Sequence, residues 1–574
     1  VDRAVHTLKI ETVKNCIFAV DIEPSAVDIA QLRLWLSLVI DDEINPDAHD
    51  DLEGHKNPLP LPNLECNILC GNSLLDEFEG IKLINESDLL GNTKNNAQVN
   101  LNQGIYDGIL EKLISTQEEL FRCKNTEEKK MLKDKIASLR DLIIKNQLEG
   151  CAPETLEKYE ESKKLASKPY VLWQLDFARV FREKGGFDIV IGNPPYIDSE
   201  TMVKIGLEEE RLIISKKFHF TKGNWDIYIA FFEKGFNLAN GKGILSYITP
   251  DKWISKPFGK ELRKNLINNF ESILVAGRDI FKTALVDSII TVITKKKTQY
   301  IKYLKISNKD RKIEYIRKVD KNVLSDSCML DIIFSDAIEM ISRLDMQYKK
   351  LNDYYCCENA CATSDCYKLK EILYSLEDSS GFNCNTQYKV INTGTIGRYF
   401  PKWGKQSMRY LKNDYQYPVV DKNEFHNLFL NSYGKKVGKG KIIIKGLTLL
   451  DACVDFTGEI IPGKSTMIID AENKDELLYL AGVINSKLMI YFIKQKYSSS
   501  SYNGGINFTK DMINSLPWVV DEQEYSAIVE LVKRIIELEA DKINEIELIN
   551  EKINSIIYKI YGITPEEVES IEAG

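Results

Sequence analysis

Short apolar runs alternate with longer stretches of helical period through the first half of the chain. Ile17-Phe-Ala-Val20 reads as a strand, Asp21-Ile-Glu-Pro24 as a turn, and residues 25–40 as a helix that Pro24 and Ser25 suit as a start. Residues 41–62 are polar and Pro-rich, hence a loop, and Asn67-Ile-Leu-Cys70 is a second short strand closed by Gly71. From 92 to 168 the period changes. Leu110, Leu113, Ile114, Leu120, Leu132, Ile136 and Leu139 recur at helical spacing among Glu and Lys, predicting a helical hairpin inserted into a sheet domain. Such a stripe serves ordinary packing more often than a partner coiled coil.

Strand and helix patterns then alternate again. Strands are predicted at 187–191, 243–248, 272–275 and 288–293, with helices at 228–238 and near 259–269. That order gives an α/β sandwich with a mostly parallel sheet, its end marked by Lys295-Lys-Lys297. Residues 299–520 read as a second, mixed α/β domain with long loops. Ile528, Leu531, Ile535, Leu538, Ile543, Ile546 and Ile549 make 521–574 a helical, acidic tail.

At 574 residues and 44% hydrophobic, the chain is long and apolar enough for three or four packed units. No run reaches the roughly 18–20 apolar residues of a membrane span, and VDRAVHTLKI lacks a basic-then-apolar leader, so a soluble intracellular protein is expected. The 12 cysteines are scattered and read as reduced thiols. The densest group is Cys356, Cys357, Cys361, Cys366 and Cys384; it lacks paired CxxC spacing and a nearby histidine, so no metal site is predicted.

A net charge of -9 argues against nucleic acid until its distribution is read. Residues 389–446 hold twelve Lys/Arg against Asp414, Asp421 and Glu424, a net of +9, interleaved with Tyr399, Phe400, Trp403, Tyr410, Tyr415 and Tyr417. Residues 521–574 hold five basic against fourteen acidic, a net of -9. A basic aromatic segment apart from an acidic tail points to local phosphate binding, with Lys402, Arg409, Lys435, Lys436, Lys439 and Lys441 as candidates.

The sharpest motif is Phe187-Asp-Ile-Val-Ile-Gly-Asn193-Pro194-Pro195-Tyr196, an apolar strand that delivers an amide, two prolines and an aromatic at its C-terminal end, where open α/β sheets bind ligands. Consecutive prolines fix φ and give up two backbone donors, leaving rigid carbonyl acceptors. The Asn193 oxygen and the Pro194 carbonyl suit the two N–H bonds of an exocyclic amine, with Tyr196 stacked on its ring.

Asn-Pro-Pro-Tyr after an apolar strand resembles the catalytic motif of the amino-group DNA methyltransferases that use S-adenosylmethionine, and its Asn resembles the N6-adenine branch. Val20-Asp21-Ile22-Glu-Pro24 resembles the family's ribose-binding motif. Cys70-Gly-Asn72-Ser73-Leu74 resembles the motif that reaches the cofactor's adenine, with Asn72 where many relatives carry an acid. Gly223-Asn-Trp225-Asp226-Ile-Tyr228, residues 243–250 and Asp279-Ile-Phe281 follow in the family's order; Phe281 matches an aromatic that stacks on the flipped base. The likeness covers residues 1 to about 298. It continues more loosely into the specificity domain of the same enzymes, through Asn392-Thr-Gly-Thr395 and Leu480-Ala-Gly-Val-Ile-Asn485-Ser-Lys487.

The resemblance implies a Rossmann-like S-adenosylmethionine-dependent methyltransferase sheet (1–91 and 169–298) with a helical insertion at 92–168. A target-recognition domain (299–520) and the helical tail (521–574) follow. The order resembles that of γ-type N6-adenine DNA methyltransferases of restriction-modification systems, including type IIG enzymes. Catalytic roles fall on Asn193, Pro194, Pro195 and Tyr196, cofactor contacts on Asp21, Ile22, Asn72 and Ser73, and base stacking on Tyr196 and Phe281, with double-stranded DNA as partner. Relatives carry a Gly-rich loop before the Asp21 strand; residues 1–16 contain no glycine, so an upstream segment with the first strand, that loop and a nuclease is expected.

Gly458-Glu-Ile-Ile-Pro-Gly463-Lys464-Ser465 fits a phosphate-loop pattern formally. Thr466-Met-Ile-Ile-Asp470 reads as strand where that loop needs a helix, so an NTPase is not expected. The five histidines form no metal or triad spacing. Competing classes are a bifunctional restriction enzyme, an inactive DNA-recognition module, and a methyltransferase of protein or RNA.

Overall fold

The computed structural model describes residues 2–40, 62–83, 101–123, 125–277, 287–307, 310–324, 330–471, 473–497, 501–502, 505–538 and 542–573. They fall into two compact units: residues 1–250 with 257–316, and residues 251–256 with 317–574.

In the first unit, β1 (Ala19–Asp21) and β2 (Ile68–Cys70) pair in parallel, Ala19 opposite Ile68 and Asp21 opposite Cys70. Helix α1 (Pro24–Val39) follows β1 and starts with its proline in the first turn, where the missing N–H is no loss. A six-stranded sheet holds β3 (Phe187–Gly192), β4 (Ala239–Pro250), β5 (Phe270–Gly277), β6 (Ser288–Thr294), β7 (Tyr300–Ile306) and β8 (Ile313–Asp320, counted in this unit as far as Ile316), in the spatial order β8-β7-β5-β6-β4-β3.

β3 is parallel to β4, and β5 to β7, but β6 runs antiparallel between β4 and β5. The sheet is therefore mixed rather than mostly parallel. Only residues 278–287 join β5 to β6, and a parallel return needs a crossover of about a dozen residues or more. The sheet also continues past Lys297 into β7 and β8, while the Lys295 ammonium lies 3.9 Å from the Phe236 ring centroid.

The predicted hairpin is present as α2 (Leu101–Arg122) and α3 (Thr126–Gln147). Asn125 caps α3, its side chain accepting from the Glu127 and Glu128 N–H groups. The leucine stripe is core: Leu110, Leu113, Leu120, Leu132 and Ile136 are buried in one cluster with Leu74, Leu75, Phe78, Leu172 and Trp225. Another cluster gathers Phe18, Val20, Leu69 and Val190 around Phe177, Phe181 and Leu238, with Phe18 and Phe187 5.8 Å apart between ring centroids. β1 and β3 thus both start from one aromatic knot.

In the second unit, one sheet orders Cys357–Asn359, Thr466–Asp470, Lys441–Lys445 and Ala452–Asp455, and another orders Tyr374–Ser375, Pro418–Asp421, Gln387–Ile391 and Ile460–Pro462. The tail helices Tyr525–Glu537 and Ile543–Ile560 bury Ile528, Val532, Ile535, Ile549, Ile553 and Ile557 within this unit. A Cβ on Gly482 would lie 2.8 Å from Ile528, so the tail crosses helix Lys474–Ile484 at a glycine. Among the described residues no single helix is long and apolar enough to cross a membrane.

Candidate active site

β3 ends where its side chains run out of room. A Cβ on Gly192 would lie 3.0 Å from the Tyr247 ring, which the neighbouring strand β4 holds opposite it. Asn193, Pro194, Pro195 and Tyr196 follow at the strand's C-terminal end: Asn193 and Pro195 exposed, Pro194 buried, Tyr196 half-buried. The turn is clamped to the segment around Trp225. Ile227 N–H donates to the Ile197 carbonyl at 2.8 Å, and Ser199 N–H to the Trp225 carbonyl at 2.9 Å. Ser199 Oγ also bonds Asn224 Oδ1 at 2.5 Å, and Asp198 caps the next helix through the Thr201 N–H. An exposed amide acceptor and rigid proline carbonyls therefore stand on a backbone fixed from both sides.

Tyr196 meets the Tyr228 ring edge to face, centroids 6.5 Å apart, and its hydroxyl lies 3.4 Å from the Ile248 carbonyl. Burial pushes the Tyr196 phenol above its usual range, and a hydrogen bond with Ser288 opposes that only in part. The phenol stays neutral, leaving its ring as a flat face in the site.

Asp21 ends β1, exposed, with Oδ1 accepting the Glu23 N–H at 2.8 Å and its backbone carbonyl accepting the Gly71 N–H. Ile22 beside it is 60% exposed. Because Asp21 pairs with Cys70, the turn carrying Asn72 and Ser73 emerges next to it. The Asn72 side chain is engaged on both atoms: Nδ2 donates to Glu210 at 2.6 Å and Oδ1 accepts the Leu74 N–H at 3.1 Å. Ser73 offers its carbonyl to the Trp173 indole at 2.9 Å. Asp21 and Ile22 thus keep a free carboxylate edge and open apolar surface, a donor set that fits ribose hydroxyls and an adenine face. Phe281 lies outside the described residues.

The basic segment divides. Lys402, Arg409, Lys435 and Lys439 are exposed. Lys436 turns to Glu358, 3.0 Å away, and to the Asn359 carbonyl, with 15% of its side chain exposed. Lys441 is a correction. It is fully buried and paired with Asp455 at 2.7 Å, so it cannot reach a phosphate. Asp455 meanwhile accepts from the Gly458, Glu459 and Ile460 N–H groups, which makes the start of the phosphate-loop lookalike a turn into the strand Ile460–Pro462. Tyr399 and Tyr410 are likewise core residues, 2% and 1% exposed, rather than stacking surfaces.

Sequence reading missed three participants. Tyr228 seats Tyr196, Glu210 holds Asn72, and Asp76 bridges Lys217 and Lys234, tying the turn after β2 to helices Glu208–Lys217 and Tyr228–Leu238. Tyr228 was legible, since it closes the Gly223–Tyr228 motif. The ion triad was not, because its members lie 141 and 158 residues apart.

Comparison with known proteins supplies the relatives. The Methanocaldococcus jannaschii protein RM.MjaORFECS2P is 24% identical over a 628-residue alignment covering 98% of this chain and 50% of that protein. The type II restriction enzyme and methyltransferase RM.Eco57I of Escherichia coli is 28% identical over 170 residues, 29% of this chain and 16% of its own. The chain thus spans half the length of the first relative and less of the second. The solved structure of the type IIL restriction-modification enzyme MmeI in complex with DNA aligns at TM-score 0.43 and 12% identity, covering 77% of this chain and 64% of that one. Residues 15–281, which carry β1, β2 and the Asn193–Tyr196 turn, match the Eco57I restriction-modification methylase family.

Proposed function

We propose that the chain is the methylating and DNA-recognising part of a restriction-modification enzyme, transferring a methyl group from S-adenosylmethionine to N6 of a flipped-out adenine in duplex DNA. The observation that carries this reading is the exposed Asn193 at the end of β3, followed by two fixed prolines and the half-buried Tyr196. Asp21 and Ile22 would hold the cofactor, whose bound sulfonium supplies an electrophilic methyl group, while Ser73 and Asn72, its side chain engaged by Glu210 and the Leu74 N–H, shape the turn beside them. The cofactor's fit rests on the exposed Asp21 carboxylate beside Ile22. Extracting a stacked base costs a few kcal/mol, which the Tyr196 face, with Phe281, partly offsets. Asn193 Oδ1 and the Pro194 carbonyl accept the two amine N–H bonds and turn the nitrogen lone pair outward, so the gain is one of positioning. The proton then leaves to water. Histidine bases and thiol nucleophiles have no part in a direct attack by the amine. A DNA substrate places the work in the cytoplasm.

Two further parts belong to the proposal. β3 is the last strand of its sheet, with Ile189 and Ile191 65% and 79% exposed, and β1 pairs only with β2 among the described residues. These open edges suit another strand, supplied from an upstream segment together with a glycine loop for the methionine part of the cofactor. The second reading, a bifunctional enzyme whose nuclease lies outside this chain, is favoured by the relative RM.Eco57I, named for both activities and matched here over 16% of its length.

The test is transfer of labelled methyl to mixed-sequence duplex DNA by this chain and by an upstream-extended form. Label on adenine N6, lowered about 100-fold or more by Asn193→Ala with DNA binding kept, is the expected result. Undiminished transfer by Asn193→Ala overturns it. DNA cleavage by the extended form alone would add the second activity.

A further inference from the structure

Cys361 and Cys366 are brought together in the second unit, their sulfurs 3.0 Å apart in an S–H···S contact. Cys361 directly precedes the Ala362 cap of α4 (Thr363–Ile372) and Cys366 sits in its first turn, its N–H donating to the Ala362 carbonyl at 3.0 Å. The pair differs in access: Cys366 is 2% exposed, in a core with Leu369, Tyr410 and Tyr433, whereas Cys361 is half-buried at its margin. Tyr410 fixes the inner cysteine from the other side, its hydroxyl donating to the Cys366 carbonyl at 3.1 Å.

We propose that Cys361 and Cys366 form a reversible dithiol–disulfide site, oxidised by small-molecule disulfides of the glutathione type. The backbone already holds the two sulfurs side by side, so closing the bond asks for a side-chain adjustment rather than a rearrangement of the helix. The electrostatics divide the pair: the hydrogen bond shared with Cys366, together with burial, pushes the Cys361 thiol well above its usual range. The hydrogen bond from Cys361 holds the Cys366 thiol below its usual range, against the effect of burial, with the Tyr410 hydrogen bond and Lys464 helping. Burial pushes the thiols of Cys66, Cys357 and Cys453 the other way. Reactive cysteines are those whose surroundings favour the thiolate.

Once one thiol proton has left, the other is shared across the 3.0 Å contact. The shared proton passes from Cys361 to Cys366, and Cys361, the accessible sulfur, then attacks as the thiolate one sulfur of glutathione disulfide, forming a mixed disulfide and expelling a glutathione thiolate. Cys366 then attacks the Cys361 sulfur and expels the second. Two electrons pass to glutathione disulfide, and the two thiol protons end on the two glutathiones.

The test is peptide mapping of the full chain after equilibration in stepped ratios of reduced to oxidised glutathione, followed by alkylation. The expected result is a Cys361–Cys366 linked peptide, lighter by about 2 Da than the dithiol, rising in one two-electron step. It should appear before the exposed Cys16, Cys356 and Cys384 are glutathionylated. In Cys366→Ser the Cys361–glutathione adduct should accumulate, since nothing resolves it, and dithiothreitol should reverse both products. Cys361 and Cys366 remaining alkylatable after the exposed cysteines have reacted would overturn the proposal. So would stable glutathione on wild-type Cys361 with no linked peptide.

Discussion

Gly192 is required by its neighbour rather than by its own conformation, since a methyl group there meets the Tyr247 ring at 3.0 Å. Gly192→Ala should lower stability by about 1–3 kcal/mol through overpacking and move Asn193 out of line, so that methyl transfer falls further than the thermal midpoint implies. Parallel measurement of melting and of transfer checks this. Asp76 presents a pH argument. Burial pushes its carboxyl up, but Lys234 and Lys217 outweigh that and hold it below its ordinary value. A depressed carboxylate stabilises the fold above its unfolded pKa, about 3.9, and that stability is lost as pH falls through the folded value. Asp76→Asn should therefore be less stable than wild type at pH 7, with the difference shrinking below pH 4 in urea titrations. Lys441 has a different sensitivity. Removing one partner of a buried pair leaves the other charge unmatched, so Lys441→Met should lose about 3–5 kcal/mol in urea unfolding.

At the scale of elements, period carried most of the legible information. The strand before Asn193, the helix 228–238 and the hairpin 101–147 were readable because each has a regular apolar spacing that its own backbone generates. The direction of β6 was not, because apolar alternation is the same for a parallel and an antiparallel strand. The strand pair Met408–Tyr410 and Asn413–Tyr415 was also hidden, since its two-residue turn uses Leu411 and Lys412, at φ 42° and 79°, where glycine or asparagine would announce it. Left-handed conformation costs an ordinary residue about 1–2 kcal/mol, and such strain is kept where the side chain serves a purpose. Lys412 is exposed at the tip of this hairpin, whose strand Met408–Tyr410 carries the exposed Arg409. Lys412→Gly should raise the thermal midpoint by about 2–4 °C while weakening DNA binding, a combination that differential scanning and a binding titration separate. A midpoint that rises with affinity intact would leave the strain without a role in recognition.

For the whole molecule, charge decides how the proposed DNA substrate is approached. The net charge is -9, so attraction has to come from a patch, and the structure narrows the sequence's candidates. Residue type and local density marked 389–446 as basic, but they could not distinguish Lys441, neutralised inside the core by Asp455 from the next strand, from Lys402, Arg409, Lys435 and Lys439, which face solvent. The partners that make this distinction come from strand pairing, which a linear charge count does not contain. In the proposed complex each lysine that neutralises a phosphate contributes about 0.9 to the slope of log affinity against log salt. Reversing Lys402, Lys435 and Lys439 to glutamate should then weaken binding at low salt and flatten that slope by about 2–3, alike on specific and non-specific duplexes. Lys436→Glu should change the slope less, since its ammonium is already matched by Glu358. Fluorescence anisotropy across a salt series reads both. An unchanged slope in the triple variant would move the DNA-binding face away from this segment, while leaving the chemistry at Asn193 to be judged by methyl transfer alone.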